Sequence, residues 1–295
     1  MAQDHIELPD LSDEQFARFA ELISRRAHIH IRENKKLLLS NRLRKRLRVL
    51  QLENYDDYYR LLTSPEGKSE MVHFLEVITT NETYFWRTAQ NFEMLKEDIL
   101  PALLRHSGGE TLRFWSAGCS SGEEPYNLAM ELSSAMVRTG YFDYRIQATD
   151  LSQRMIEFAR QGVYSGRKIE KIPSQALRRY FLESKESSGS YEVRSDIKER
   201  IDFKVGSLFE GTEAPAHCIF CRNVMIYFSR ETQEELALKF YRTLKPGGFL
   251  VIGHSESLHM MNTPFMARNF PRGIAYYKPR KNEFGDSSEE HDGER

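Results

Sequence analysis

From residue 111 onward the chain alternates short apolar runs with stretches of helical period, and this alternation restricts the fold more than any other feature. TLRFWSA (111–117), YRIQAT (144–149), IDFKVG (201–206), HCIFCRN (217–223), GFLVIGH (248–254) and GIAYYK (273–278) have the length and flanks of strands. The intervals between most of them accommodate crossover helices, so the expected fold class is α/β, with a Rossmann-like sheet that binds its ligand beyond the carboxyl ends of the strands. The interval between the second and third runs is longer. Its SSGSYEVRSD (187–196) places turn residues beside alternating Tyr191 and Val193, which predicts a small antiparallel insertion at about 165–200.

Ahead of the alternation the pattern is helical. Ser12 with Gln15 three residues on forms a capping box, and Phe16, Phe19 and Ile23 follow at helical spacing. A second helix fits residues 35–50, with Leu39, Leu43, Leu47 and Leu50 as its apolar seam and Arg44, Lys45 and Arg48 on the other face, flanked by Arg42 and Arg46. Net charge over all 295 residues is -1, yet residues 21–50 carry ten Lys or Arg against two Glu, a local charge of +8. The balance offers no bulk attraction for nucleic acid, whereas the local block suits an acidic protein surface. Three cysteines, Cys119, Cys218 and Cys221, are too few for a disulfide framework and fit a reducing compartment. No apolar signal core or membrane-length run occurs, so a cytoplasmic protein without membrane insertion is expected.

The stretch FWSAGCSSGEEPY (114–126) joins a strand end to a helix start through two glycines. A dinucleotide site would use G-x-G-x-x-G and offer backbone N–H groups to a diphosphate. Here the spacing is Gly118-x-x-x-Gly122, followed by Glu123 and Glu124, with Pro125 expected at the first helical position and Glu124 as N-cap. Two carboxylates at the positive end of a helix repel phosphate and favour a cation. S-adenosylmethionine, an adenosine with an ammonium and a sulfonium and no phosphate, satisfies that charge pattern. Asp150, at the end of the second strand, is placed to accept from both ribose hydroxyls, and Asn223, beside Arg222, offers donor and acceptor together. Cys218-x-x-Cys221 lies on a strand, where residues three apart face opposite sides, so core packing is expected and no metal is called for.

Taken together, NETYFWR (81–87), AGCSSGEEPY (117–126), ATDLS (148–152), FCRNVMIYF (220–228) and LKPGGFLVIGHSES (244–257) resemble the chemotaxis receptor methyltransferases of the CheR family, over roughly residues 12–279. The resemblance implies an all-α N-terminal domain over 1–80, a class I S-adenosylmethionine-dependent methyltransferase domain over 81–280 carrying the inserted β-subdomain, and a disordered tail over 281–295. Asn81, Thr83, Arg87, Glu124, Asp150, Arg222 and Asn223 match donor-binding positions. Ser207-Leu208 falls where many relatives have Asn-Leu beside the adenine, so a contact from the Ser207 side chain is a departure. Arg87 is implied to orient a carboxylate and Tyr227 to stand beside the transferring methyl.

The reaction implied is methyl transfer to glutamate γ-carboxylates on chemoreceptor cytoplasmic helices, with S-adenosylhomocysteine as product. An acidic receptor helix would then dock on Arg42, Arg44, Lys45, Arg46 and Arg48, and in some relatives the β-subdomain captures a receptor's C-terminal peptide. Two other readings share these residues: a methyltransferase of other specificity, and a non-catalytic adaptor that binds receptor or a signalling nucleotide.

Overall fold

The computed structural model describes residues 10–78, 82–184, 188–280 and 283. Their contacts form two compact units, one built from the first 81 positions together with Tyr227–Thr232 and the other from the remainder.

The helical unit holds α1 (Asp13–Ala27), α2 (Lys36–Leu50), α3 (Tyr55–Thr63) and α4 (Lys68–Ile78). Ser12 caps α1 and both halves of the capping box with Gln15 form, at 3.1 Å each. Asn54 caps α3 by accepting from Asp57 N at 2.8 Å. The core gathers Phe16, Phe19 and Ile23 of α1, the Leu39, Leu43 and Leu47 seam of α2, Tyr55 and Tyr58 of α3, and Phe74 of α4. The seam therefore faces inward as its period requires, with Leu50 only partly covered.

The sheet unit opens with α5 (Ala89–Met94), a π-turn (Leu95–Ile99) and α6 (Leu100–Leu104). There follow β1 (Leu112–Ala117), α7 (Glu123–Thr139), β2 (Tyr144–Asp150), α8 (Gln153–Gln161), β3 (Val163–Ser165), α9 (Ser174–Tyr180), β4 (Phe181–Glu183), β5 (Ser190–Val193) and α10 (Ser195–Lys198). The chain continues through β6 (Ile201–Val205), β7 (Ala216–Cys221), α11 (Arg230–Thr243), β8 (Leu244–Ile252), β9 (Met266–Phe270) and β10 (Gly273–Tyr277). Seven strands form one sheet in the order β6-β2-β1-β7-β8-β10-β9, parallel except where β10 meets β8 and β9. From β1 the chain first travels outward through β2 to β6 and later leaves on the other side through β7 and β8. The topological switch point, the place where open α/β sheets bind their ligands, lies between β1 and β7.

The small antiparallel sheet, in the order β3-β5-β4, is the insertion that the turn-rich interval predicts. Two sequence expectations need correction. The first turn of α7 begins two residues earlier than expected: Gly122, at φ 93°, is the N-cap, Glu123 is the first helical residue, and Pro125 stands third. The strand β9 has no counterpart among the predicted runs, because four of its five residues are exposed and leave no apolar alternation to read. Cys218 and Cys221 are free and fully buried in β7, as core packing requires. Apart from Glu283, the expected tail 281–295 lies outside the described residues.

Candidate donor site

Three of the five residues of the turn after β1 adopt left-handed backbone: Gly118 (φ 83°), Ser120 (φ 49°) and Gly122 (φ 93°). Gly118 has no room for a side chain, because a Cβ there would lie 2.6 Å from Cγ2 of Val224 in the loop after β7. At Gly122 a Cβ would meet Cβ of Ala159 at 2.7 Å. The sequence thus needs glycine at both points, one where two loops of the switch point approach and one where α8 presses on the turn.

Most amides of this turn have internal acceptors. Gly118 N and Cys119 N both donate to Thr149 O, at 2.8 and 2.9 Å, Gly122 N donates to Cys119 O, and Ser120 N donates to Oδ2 of Asp150 at 2.8 Å. A diphosphate would find these donors committed and the carboxylate of Glu124 in the first helical turn. The residues fit a cationic, phosphate-free donor and do not fit a dinucleotide.

Glu124 is an almost dry carboxylate, its side chain 13% exposed. Its Oε1 accepts from Ser116 Oγ of β1 at 2.8 Å and its Oε2 from Arg222 Nη1 at 3.0 Å. Burial raises its pKa above the ordinary carboxylate range, and Arg222 opposes that shift. Arg222 is itself 2% exposed; it also donates through Nη2 to the carbonyl of Arg87 and lies over the ring of Phe92, its Nε having no partner among the described residues. One guanidinium therefore ties the end of β7 to α7 and to the segment before α5.

Asp150 ends β2 and also has its pKa raised by burial, against the pull of the backbone amides that bind it. Besides Ser120 N its carboxylate accepts from Ser152 N at 2.9 Å, while Gly206 N donates to its carbonyl at 3.0 Å. Ser207 and Leu208 thus begin beside the end of β2. The Ser207 hydroxyl accepts from Phe209 N at 3.3 Å, a local turn contact, and Leu208 is buried.

Arg87 lies in a tight turn that includes Trp86 and Thr88 in left-handed backbone. Its Nη1 donates to the carbonyl of Glu82 at 2.7 Å and its guanidinium stands 5.9 Å from the Tyr84 ring. Thr83 is half-buried nearby in sequence, and Asn81 lies outside the described residues. Asn223, at φ 59°, is fixed by its backbone N–H, which donates to Oε2 of Glu256 at 2.8 Å. The same oxygen accepts from Gly253 N at 2.6 Å, and Oε1 accepts from Ile226 N at 3.3 Å. Glu256 escaped the sequence reading although it sits in the quoted GHSES motif. An acidic residue three positions after the glycine that follows β8 was the available signal.

Arg87, Glu124, Asp150, Ser207, Leu208, Arg222 and Asn223 all lie in the sheet unit, where Arg222 links Glu124 to the carbonyl of Arg87 and Asp150 meets Gly206 just ahead of Ser207. Tyr227 is grouped differently: it is partly buried against the core of the helical unit, and its carbonyl accepts from His30 N at 2.8 Å. The basic helix α2 is also more committed than its sequence implies. Arg46 makes a bidentate pair with buried Glu70, at 2.8 and 2.6 Å, which Tyr58 joins at 2.8 Å; Arg44 binds Asp10 at 2.6 Å and Arg42 binds the carbonyl of Ile78. Lys45 and Arg48 are exposed, with no ion pair among the described residues.

Residues 14–79 match the all-alpha domain of the CheR methyltransferases, and residues 81–274 match their SAM binding domain. The chain is 32% identical over 287 residues to chemotaxis protein methyltransferase 2 of Vibrio cholerae, covering 96% of this chain and 98% of that protein. It is 36% identical over 262 residues to the chemotaxis protein methyltransferase of Escherichia coli, covering 88% and 89%. With both domains matched in order along nearly its whole described length, the chain belongs to the CheR methyltransferase family and is an S-adenosylmethionine-dependent methyltransferase.

Proposed function

We propose that this enzyme methylates the γ-carboxylate of glutamates on the cytoplasmic helices of chemoreceptors, in the cytoplasm, for sensory adaptation. The observation that carries the donor half of this reading is the turn after β1, whose amides are committed and whose first helical turn presents Glu124. The relatives that carry the name chemotaxis protein methyltransferase support the receptor half.

The donor supplies an electrophilic methyl on a sulfonium, and the chain's residues hold and screen it. Glu124 and Asp150 attract its cationic and ribose groups, Asn223 presents a donor and an acceptor, and Ser207-Leu208 borders the adenine. Thr83 and Asn81 belong to the same donor-binding set. Arg87 orients a carboxylate, and Tyr227 walls the transferring methyl. No base is needed: a glutamate with pKa near ~4.3 is already ionised at neutral pH. Catalysis then rests on alignment and desolvation, for which proximity supplies ~7–11 kcal/mol.

Lys45 and Arg48 are the cations of α2 best placed to meet an acidic receptor helix, with Arg42, Arg44 and Arg46 contributing field more than contact. The small sheet β3-β5-β4 offers edge strands to which a receptor's C-terminal peptide could add. Transfer of a labelled methyl to receptor-containing membranes, followed by base treatment, tests the whole reading. Carboxyl methyl esters release volatile methanol under base; label that stays in the protein would refute the glutamate assignment.

A further inference from the structure

Glu123 and Glu124 are adjacent, yet they meet opposite environments. Glu124 keeps a little exposed surface, whereas Glu123 has none at all. Its Oε1 pairs with the Lys168 ammonium, and its Oε2 accepts from Ser121 Oγ at 2.7 Å. Lys168 Nζ donates in addition to Ser121 Oγ at 2.8 Å and lies 5.4 and 5.9 Å from the ring centres of Phe158 and Tyr164. The Tyr164 hydroxyl donates to Ser121 O at 2.7 Å and stands 3.0 Å from the position that a Cβ on Gly122 would take.

Ser121 sits in the glycine turn with left-handed residues on both sides, so no helical or strand ladder holds it. It is held instead by three side chains, and two of them, Tyr164 and Lys168, come from β3 and the 3-10 turn Gly166–Lys168 that follows it. A fully buried carboxylate and its lysine partner are weak contributors to stability, since apolar residues of the same volume commonly replace such pairs without loss. What an apolar pair cannot reproduce is direction. The Ser121 hydroxyl, donating to Glu123 and accepting from Lys168, fixes the rotation of the turn and hence where Ser120 N and Asp150 meet.

We propose that Lys168 is a positioning residue for the methyl donor, acting through Glu123 and Ser121 to hold the turn after β1. The first strand of the inserted sheet and the 3-10 turn that follows it thereby set the seat of the donor. This inference rests on the reading that the turn 118–122 and Asp150 seat the donor.

The test titrates S-adenosylhomocysteine into the full-length wild-type protein, Lys168→Met, the double variant Glu123→Met with Lys168→Met, and Asp150→Ala, and records thermal unfolding of each. Lys168→Met should weaken binding about tenfold or more and lower Tm, since small misplacements of a binding group have large effects. The double variant should regain the wild-type Tm while its affinity stays low, which separates positioning from folding. Should Lys168→Met fail to fold, the double variant, which leaves no unpaired charge, carries the measurement. Wild-type affinity in Lys168→Met beside a weakened Asp150→Ala overturns the inference and leaves the donor site standing. Recovery of affinity together with Tm in the double variant also overturns it, because the pair would then serve folding alone. Unchanged binding in Asp150→Ala removes the donor-site reading and this inference with it.

Discussion

Arg222 Nη1 stands 3.0 Å from Oε2 of Glu124, and the two side chains, from the end of β7 and the start of α7, neutralise each other in a nearly water-free setting. Removing one partner of such a pair leaves an uncompensated charge. Arg222→Met should therefore lose roughly 3–5 kcal/mol of folding stability. Combining it with Glu124→Gln should restore much of that loss, whereas additive losses in denaturant unfolding would show that the two groups are not coupled.

With Glu124 and Asp150 seating the donor as proposed, their raised pKa values predict a pH dependence for donor binding. A carboxyl whose folded pKa lies above its unfolded value favours the folded state at low pH, and that contribution is lost as pH rises through the folded pKa. A cationic donor prefers the ionised forms and pulls both values down on binding, so binding releases protons. Affinity should fall as pH drops from neutrality into the raised carboxylate range. Calorimetry in buffers of differing ionisation enthalpy should register the release, and an affinity that rises on acidification would contradict it.

Gly122→Ala tests the turn directly. Its φ of 93° is left-handed and its Cβ would lie 2.7 Å from Cβ of Ala159. Backbone strain alone should cost roughly 1–3 kcal/mol, and the displaced turn should bind donor more weakly. A variant with wild-type Tm and donor Kd would mean the turn accommodates the methyl group.

The pairs on α2 sharpen the receptor-docking prediction. Lys45→Glu with Arg48→Glu should raise KM for receptor and leave both donor affinity and Tm nearly unchanged, because both residues are exposed. Arg46→Glu should behave differently: it faces buried Glu70 and should destabilise the fold by roughly 3–5 kcal/mol. Equal effects of the two changes on receptor KM and on Tm would remove the distinction.

Glu256→Ala withdraws the acceptor shared by Asn223 N and Gly253 N. Asn223 should then leave its left-handed conformation and donor Kd should rise about tenfold or more, while Glu256→Gln, which keeps an acceptor oxygen, should retain most affinity. Because the effect runs through Asn223, adding Glu256→Ala to Asn223→Ala should change Kd little further.

What the sequence disclosed was mostly local. The Ser12 and Gln15 cap, the seam of α2 and the six apolar runs each depend on neighbours within a few positions, and each was legible. The start of α7 was misplaced because Pro125 signals a first turn without fixing which residue opens it, and Gly122 took the N-cap in a conformation open to glycine. Pairings between distant segments left no signal. Lys168 meets Glu123 from 45 positions away and Glu256 meets Asn223 from 33, so neither the buried role of Glu123 nor the clamp on Asn223 could be read from motifs. The +8 block overstated the free charge of α2, since a count cannot know that Arg46 turns toward Glu70.

The two bonds from Gly118 N and Cys119 N to Thr149 O suspend the turn after β1 from the end of β2, a strand paired on both sides. Amides attached to the interior of a sheet exchange with solvent only through large-scale opening. Those two protons should be among the slowest to exchange in the free enzyme. On the proposed reading the donor meets a seat that exists before it arrives, and little ordering entropy is left to be lost at the moment of binding.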